Sequence, residues 1–290
     1  MKLTPAFSFI IFILLAGKMA YASDASRSLS DLLDLEANGD DINFVQKTPS
    51  TLRIKIIREA AYSIGSQHGL YWQMDILKNR ISDLEEGFDN VYSAPLKSLM
   101  IKYKNYYIVP PVINSTNGGM RKNDNGRVLR IAQQTYRIIQ DPYFVINPPS
   151  WRDYFILNSP VPHKVNQALL PNTDEEQSVW RKAVNKGWRA GIAQANSILQ
   201  TQVARITRDI IGMVNFHLLR AKNMISEPEV IARYFPVTGG GREMSIRDSI
   251  IKIKSDPTLN ANRLSWRALP RLPDASKLFP HAYRLYQGGK

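Results

Sequence analysis

Paired glutamates and four histidines are the residues of this chain whose types could support catalysis. Two nearby carboxylates can hydrolyse a glycan, one as general acid and the other as base or nucleophile. Adjacent glutamates occur twice, at Glu85-Glu86 and Glu175-Glu176. The histidines show no HExxH or other metal-ligand spacing; they are His68, His163, His217 and His281. The plainer interpretations are a solvated helix end for the first pair, a helix cap for the second, and a core position for His217.

Other catalytic motifs are missing from the sequence. The chain has no cysteine, which excludes disulfides, thiolate metal ligands and a cysteine nucleophile. The run Gly239-Gly240-Gly241-Arg242 is not followed by the Gly-Lys-Ser/Thr of a phosphate loop, so it predicts a turn. We therefore expect no enzymatic activity and no cofactor or metal. The alternative is a periplasmic glycan-acting hydrolase or lyase that opens the cell wall with Glu86 as its acid.

Four of the five tryptophans are followed directly by arginine. The pairs are Trp151-Arg152, Trp180-Arg181, Trp188-Arg189 and Trp266-Arg267. Tryptophan and arginine are the residues most enriched at interface hot spots. Trp180 and Trp188 belong to an apolar helical stripe, so we expect both to be buried while the adjacent arginines face solvent. For Trp151, Arg152 and Trp266 we favour an interface.

Small residues four positions apart occur in both long helical segments. They are Ala61, Gly65 and Gly69 in the first segment, and Gly187, Gly191 and Ala195 in the second. Glycine in a helix interior costs about 1 kcal/mol relative to alanine, so two such ladders indicate a packing requirement. A face of small residues lets two helix backbones approach closely. We predict that these glycines bring the two helices together or receive a partner helix.

Hydrophobic periodicity predicts two long amphipathic helices. Apolar residues recur at three- and four-residue steps from about residue 51 to 84, and this helix should end before Gly87. Thr173 with Glu176 fits a capping box at the start of a second helix. The second stripe continues to about His217, unless its glycines divide the helix in two.

Short antiparallel strands are predicted around these helices. Residues 88–160 alternate β-branched and tyrosine-rich stretches with turn signals, among them Asn117-Gly118-Gly119, and residues 239–254 predict a hairpin. The elements together define an α+β fold: long amphipathic helices packed with short antiparallel strands and hairpins, in a single globular domain with extended ends. We place the globular domain at residues 50–264, after a flexible acidic leader at 23–49 and before a Pro-rich basic tail at 265–290.

Residues 1–22 have the pattern of a secretory signal peptide. Lys2 precedes an apolar run shorter than the roughly 20 residues that span a bilayer, and Ala20-Tyr21-Ala22 is an A-x-A cleavage signal. We expect cleavage between Ala22 and Ser23 and export from the cytoplasm. Leu15-Ala16-Gly17 is the kind of triplet that precedes the acylated cysteine of bacterial lipoproteins, but the next residue is Lys18.

Charge is unevenly distributed in this basic chain, whose net charge is +13. Residues 23–50 carry six acidic residues against two basic ones, whereas residues 261–290 carry six basic residues against one acidic. Ends of opposite charge suit charged partners, or each other. Outside the cytoplasm, the candidate anionic partners are membrane surfaces, cell-wall polymers and neighbouring proteins. The basic residues are scattered, and we expect no direct binding of nucleic acid.

Several sequence blocks follow one another in a recognisable order from about residue 50 to 270. The more specific ones are Pro148-Pro149-Ser150-Trp151-Arg152 and Gly187-Trp188-Arg189-Ala190-Gly191-Ile192-Ala193-Gln194-Ala195. Others are Ile108-Val109-Pro110-Pro111, Leu129-Arg130-Ile131-Ala132 and Val237-Thr238-Gly239-Gly240-Gly241. In combination they resemble the DotC-type family of Dot/Icm-like type IV secretion systems, which includes the conjugation machineries of related plasmids.

The resemblance implies a structural subunit without enzymatic activity. It implies assembly in many copies, as a ring in the outer-membrane core complex, together with lipoprotein and channel subunits. It also implies lipidation, and here the sequence departs from the family because Lys18 stands where the acylated cysteine would be. Either this member is a periplasmic protein held at the outer membrane by protein contacts, or its residue 18 has been altered.

Overall fold

A computed structural model describes residues 28–36, 51–122, 129–158, 160–163 and 165–268 of the chain. The predicted signal peptide, with Ala22, Ser23 and Lys18, lies outside the described residues, as does the tail beyond Ala268. Helices and antiparallel strands are both extensive in the described part. The predicted α+β class is confirmed.

The described residues form two compact units. One contains those up to Lys97 together with Pro149–Thr207, and we call it the helical unit. The other contains those of Ser98–Pro148 and Arg208–Lys290, and we call it the strand unit because every described strand lies in it. The domain boundaries at 50 and 264 stay predictions.

A short helix, α1 (Leu29–Leu33), lies within the segment predicted to be a leader. Ser28 caps it, since the Ser28 hydroxyl accepts the Asp31 N–H and the Asp31 carboxylate accepts the Ser28 N–H. Leu32 is fully buried. This segment therefore differs from the flexible leader that we predicted, because its apolar side chains enter the core of the helical unit.

Both predicted long helices are present. α2 (Thr51–Asp83) is followed by α3 (Glu85–Phe88), a π-helical turn (Asp89–Ser93) and α4 (Ala94–Leu99). The first long helix ends at Asp83, before Gly87, as predicted, and Gly87 lies in the separate short helix α3. In the part of the chain that the structure covers, no helix combines the length and the apolar character needed to cross a membrane.

The second long helix, α5 (Asp174–Ala221), is continuous through Gly187 and Gly191. Its predicted start is confirmed, because the Glu176 N–H donates to the Thr173 hydroxyl at 3.3 Å. The Glu176 carboxylate reaches back one residue further than a capping box requires and accepts the Asn172 N–H at 2.9 Å.

The strand unit contains antiparallel strands together with the last part of α5, from Arg208 to Ala221. In chain order the strands are β1 (Ile101–Tyr103), β2 (Tyr106–Val109), β3 (Val112–Lys122), β4 (Leu129–Gln140), β5 (Tyr143–Val145), β6 (Glu229–Gly240) and β7 (Glu243–Ser255). The order β1-β2-β5 forms one sheet, while β3–β4 and β6–β7 are separate two-stranded ribbons. The predicted hairpin after Gly239 is confirmed, with Gly240 paired to Glu243 at its end.

The turn predicted at Asn117-Gly118-Gly119 is wrong. These residues lie inside β3, where Asn117 pairs with Gln134 and Gly119 pairs with Ala132. Gly118 has a φ of 72°, which glycine adopts without a steric penalty. A sequence typical of a turn is thereby accommodated within a strand.

Candidate functional site

The small-residue faces of α2 and α5 meet inside the helical unit. A Cβ atom added to Gly65 would lie 2.4 Å from the carbonyl oxygen of Val184, and one added to Gly69 would lie 2.5 Å from that of Trp188. Real Cβ contacts with oxygen are essentially never this short. The two glycines of α2 therefore allow its backbone to touch the backbone of α5.

The glycines of α5 have the reciprocal relationship to α2. A Cβ on Gly187 would lie 2.2 Å from the carbonyl oxygen of Tyr62, and one on Gly191 would lie 2.2 Å from that of Ser66. Both ladders serve the same crossing, and the helix that receives α2 is α5 of the same chain. This crossing is a structural element of the helical unit, and it leaves these glycine faces covered.

Trp180 and Trp188 are core residues, as expected. Trp180 is fully buried, and its Nε1 donates to the carbonyl oxygen of Leu32 at 2.8 Å. Trp188 is 7% exposed and packs beside Trp72, with ring centroids 5.5 Å apart. The arginine that follows Trp180, Arg181, extends to an exposed ion pair with Asp34. The first of these tryptophans thus joins α5 to α1.

The Trp151 side chain forms a hydrogen bond with Asp89, a residue that we did not predict to be part of a site. The Trp151 indole Nε1 donates to Asp89 Oδ1 at 2.9 Å, and the same oxygen accepts from Ser93 Oγ at 3.0 Å. The π-helical turn brings Asp89 and Ser93 together; such turns are frequent at functional positions in proteins. Trp151 is only 6% exposed, so it packs within the unit and presents almost no surface to a partner.

Arg152 completes this group, which we call the Asp89 cluster (Glu85, Asp89, Ser93, Trp151 and Arg152). Arg152 Nη1 is 3.0 Å from Asp89 Oδ1, and its guanidinium also pairs with Glu85. The guanidinium carbon lies 4.5 Å from the centroid of the Trp151 ring, which is a cation–π arrangement. Arg152 remains 46% exposed. Of the Trp151-Arg152 pair, only the arginine can meet a partner.

An aromatic group and a cavity adjoin the Asp89 cluster. The rings of Phe88, Tyr92 and Phe155 pack around Trp151 with neighbouring centroids 5.2 to 6.0 Å apart. Burial raises the pKa of Tyr92 to about 12. The cavity, of about 390 Å³, is lined by Arg152 and Glu85 together with apolar residues such as Ile81 and Phe155.

The glutamates proposed as catalytic pairs have other roles or other positions. Glu85 pairs with Arg152, and together with the exposed Glu86 it forms the first turn of α3, where acidic residues stabilise a helix. Glu176 is buried and pairs with Arg53 Nε at 2.7 Å, while Glu175 is exposed. The two carboxylates of each pair therefore have different surroundings.

The histidines occupy separate positions. His217 is half-buried, and its Nε2 is 2.7 Å from the carbonyl oxygen of Leu99, as suits a core histidine. His68 is buried in α2, and His163 is exposed. His281 lies outside the described residues.

Trp266 belongs to the strand unit and is half-exposed. Its Nε1 donates to the carbonyl oxygen of Asn260 at 2.9 Å, and the neighbouring Arg267 N–H donates to the Lys222 carbonyl at 2.8 Å. It lines a groove of about 930 Å³ together with Leu219 and Met224. With 39% of its surface exposed, Trp266 remains available to a partner.

The β6–β7 hairpin carries several exposed apolar side chains. Four of its aliphatic side chains are more than half exposed: Val237, Met244, Ile246 and Ile250. The hairpin itself was expected, but the exposure of these four side chains was not. The alternation of Val237 with Gly239, and of Met244 with Ile246, is the signal in the sequence that could have indicated it.

One known protein family matches the part of the chain that forms α2 to α5 and all seven described strands. The family model for the type IV secretory system, conjugal DNA-protein transfer (the TraI type), matches residues 51–268. The match spans most of the chain, from the first residue of α2 to Ala268, and the chain therefore belongs to this family. No curated protein matches the chain.

Proposed function

We propose that the protein is a structural subunit of the outer-membrane core complex of a type IV secretion or conjugation apparatus, and that it is of the DotC type. The family match over residues 51–268 is the observation that carries the proposal. The blocks at Trp151-Arg152 and Gly187-Trp188, on which the resemblance to DotC-type proteins rests, lie inside that match.

The protein acts by assembly and not by catalysis. Its helical unit supplies a tightly packed body, because α2 and α5 touch through their backbones at four glycines. Its strand unit supplies exposed apolar surface of the kind that marks interaction sites. The partners are further copies of the chain in a ring, and the lipoprotein and channel subunits of the core complex.

The proposed location is the periplasm, at the outer membrane. The chain has no cysteine to carry an acyl group, so its attachment there depends on contacts made by the folded protein. This separates it from the lipidated members of the family that it resembles.

Purification of the tagged full-length chain from the envelope of its native host tests the proposal. We expect other secretion subunits to co-purify in a large ring-shaped assembly. Gly191→Leu, which disrupts the α2–α5 crossing, should be missing from that assembly, whereas Gly87→Ala, at a position with open space around its Cβ, should enter it normally. A monomer without secretion subunits contradicts the proposal. Cell-wall digestion that disappears in Glu86→Gln would then support the glycan-acting alternative.

A further inference from the structure

The groove beside Trp266 continues the core of the strand unit to its surface. Leu219, which lines it, is buried, and Tyr136 and Met224 are half-buried against the same core cluster. Leu259 and Trp266 also line it, and 41% and 39% of their surfaces are exposed. These side chains lose further contact with water when an apolar segment lies in the groove, which favours such an occupant.

The segment 259–268, which forms part of the lining, is held in place by the chain that follows α5. The Asn260 N–H donates to the Met224 carbonyl oxygen at 2.8 Å, and the Arg267 N–H donates to the Lys222 carbonyl oxygen at 2.8 Å. These backbone hydrogen bonds lie near both ends of the segment. The groove is therefore a preformed feature of the strand unit.

β4 supplies another part of the lining through three successive residues, Ala132, Gln133 and Gln134. Side chains of successive strand residues point to opposite faces, so a groove lined by three in a row extends along an edge of the strand. β3 pairs with one edge of β4, and no described strand pairs with the other. None of the described β3 residues lines the groove. The unpaired edge of β4 can therefore accept an extended peptide as an added strand.

Two cations restrict the chemistry of the occupant. Lys222 and Arg267 line the groove, and neither takes part in an ion pair among the described residues. A cation is stabilised by a carboxylate or by the face of an aromatic ring, and only the ring also suits an apolar floor. The groove therefore fits an extended segment that carries aromatic and aliphatic side chains.

Residues 281–287, which we call the arm, have this composition. Their sequence is His-Ala-Tyr-Arg-Leu-Tyr-Gln, with a single formal charge at Arg284. Tyr283 and Leu285 alternate with Arg284, which is the pattern of a strand with one apolar side. The arm follows Pro280 and contains no proline itself, so each of its residues has an N–H group for a strand edge.

The position of Ala268 determines which groove the arm can enter. Ala268 lines the groove and is the last described residue, and twelve residues (269–280) separate it from the arm. These include Pro270, Pro273 and Pro280. Proline-rich linkers are extended, at about 3.1 Å per residue, so twelve residues span about 37 Å. A linker of this length directs the arm away from the groove at which it begins and towards another copy.

We propose that the arm of one chain binds the groove of a neighbouring copy, as a strand on the free edge of β4. The contact joins two different surfaces of the same protein, and a head-to-tail interface of this kind generates a ring when its rotation closes. The inference rests on the proposed function, which requires a ring of copies. It identifies the surfaces through which the copies join.

Disulfide trapping tests the contact directly, because the chain has no cysteine of its own. Ala261→Cys places a thiol in the lining of the groove, and Ala282→Cys places one in the arm. Each substitution is made in a separately tagged full-length chain, and the two purified chains are mixed and oxidised. We expect a disulfide-linked dimer that carries both tags. With Ala193→Cys, at an exposed position of α5 outside the groove, in place of Ala261→Cys, no dimer should form above background.

The same cysteines distinguish a neighbouring copy from the same chain. A chain that carries both Ala261→Cys and Ala282→Cys should remain largely unlinked when it is diluted before oxidation. Efficient disulfide formation within this single chain, without the mixed dimer, would show that the arm folds back onto its own groove and would overturn the proposal. The absence of any disulfide would overturn it as well.

Substitution of Leu259 supplies the second measurement. Leu259→Lys should lower the yield of the mixed dimer by about tenfold or more, since it replaces an apolar contact by a charge. Leu264→Lys makes the same change at a 97% exposed position of the same segment that does not line the groove, and it should leave the yield unchanged. Equal losses in the two variants would contradict the assignment to the groove. If Leu259→Lys melts at a lower temperature than the wild type, Leu259→Ala and Leu264→Ala repeat the comparison without a new charge.

This inference and the proposed function fail in different ways. A chain that co-purifies with secretion subunits, but whose arm and groove cysteines never link two copies, refutes the arm contact alone. Copies that link through these cysteines, in a chain that enters no secretion complex, refute the proposed function and leave the contact standing.

Discussion

Gly191 of α5 lies against Ser66 of α2 so closely that a Cβ on Gly191 would stand 2.2 Å from the Ser66 carbonyl oxygen. The same Cβ would be 2.5 Å from the backbone nitrogen of Leu70. Both neighbours are backbone atoms of a long helix, so they cannot move aside as the end of a flexible side chain could. Even one methyl group at residue 191 must therefore separate the two helices.

Gly191→Ala should destabilise the protein although alanine favours helix more than glycine. The gain in helix propensity is about 1 kcal/mol, whereas overpacking costs about 1–3 kcal/mol even where side chains can adjust. We expect a net loss of up to about 2 kcal/mol in the free energy of unfolding, measured by urea denaturation. Gly191→Leu should prevent folding.

Gly87→Ala is the control for the glycine prediction. Gly87 is also helical, but no atom lies within 4 Å of an added Cβ, so the propensity term should act alone and raise stability slightly. Equal effects of the two alanine substitutions would show that the close approach of α2 and α5 has no energetic weight.

Removal of the Asp89 carboxylate should destabilise the helical unit. Asp89→Ala leaves the Trp151 Nε1–H without its acceptor, and a buried unsatisfied donor costs about 1–3 kcal/mol. Asp89→Asn retains an oxygen for the indole and loses only the charge that faces Arg152. We expect the asparagine variant to recover most of the lost stability in chemical denaturation. If alanine and asparagine are equally destabilising, the ion pair dominates and the indole hydrogen bond does not.

Tyr92 should make the protein sensitive to alkaline pH. Its folded-state pKa is about 12, above the ordinary value near 10, so the folded protein holds this proton more tightly than the unfolded chain does. The resulting stability is complete below pH 10 and is lost as pH rises from 10 to 12. The loss is on the order of 2–3 kcal/mol for a shift of this size.

Comparison with Tyr92→Phe isolates this effect from the other tyrosines and the lysines. The difference in unfolding free energy between the wild type and the variant should be constant up to pH 10 and should then change in favour of the variant. A difference that stays constant to pH 12 would show that Tyr92 ionises without disturbing the core.

Deletion of residues 269–290 should weaken entry into the secretion complex. This segment carries Arg271, Lys277, Arg284 and Lys290 against a single acidic residue. The deletion retains Trp266 and Arg267, whose hydrogen bonds belong to the strand unit. Thermal melting should therefore be unchanged while co-purification decreases. If the truncated chain enters the complex as efficiently as the full-length chain, the tail does not contribute to assembly.

Local pattern was sufficient to predict the long helices, the hairpin after Gly239 and the burial of Trp180 and Trp188. Apolar residues that recur at three- and four-residue steps indicate a helix, and this pattern does not depend on what the helix packs against. The glycine spacing also indicated a close approach, although the sequence could not show that each ladder faces the other. The two ladders are more than 100 residues apart in the chain, and their contact follows only from the tertiary structure.

Other features could not be predicted because their causes are distant in the chain. Trp151 is buried where its indole donates a hydrogen bond to Asp89, which lies 62 residues earlier in the chain. The sequence around either residue does not indicate this contact. The sequence around Gly118 is typical of a turn, but the pairing of β3 with β4 places it inside a strand. α1 has five residues, too few to be stable alone, and it exists because Leu32 has a core to enter.

The contact of Leu32 with Trp180 also sets an order of events in biosynthesis. The two residues are 148 positions apart, and a chain made from its N-terminus at 5–20 residues per second needs roughly 7 to 30 s to cover that distance. During this interval the Trp180 indole that contacts Leu32 has not been synthesised. The glycine face of α5 that packs on α2 is also missing. The segments that form α1 and α2 therefore remain accessible to targeting factors and chaperones until synthesis is more than half complete. They can pack in their final positions only after α5 has been synthesised.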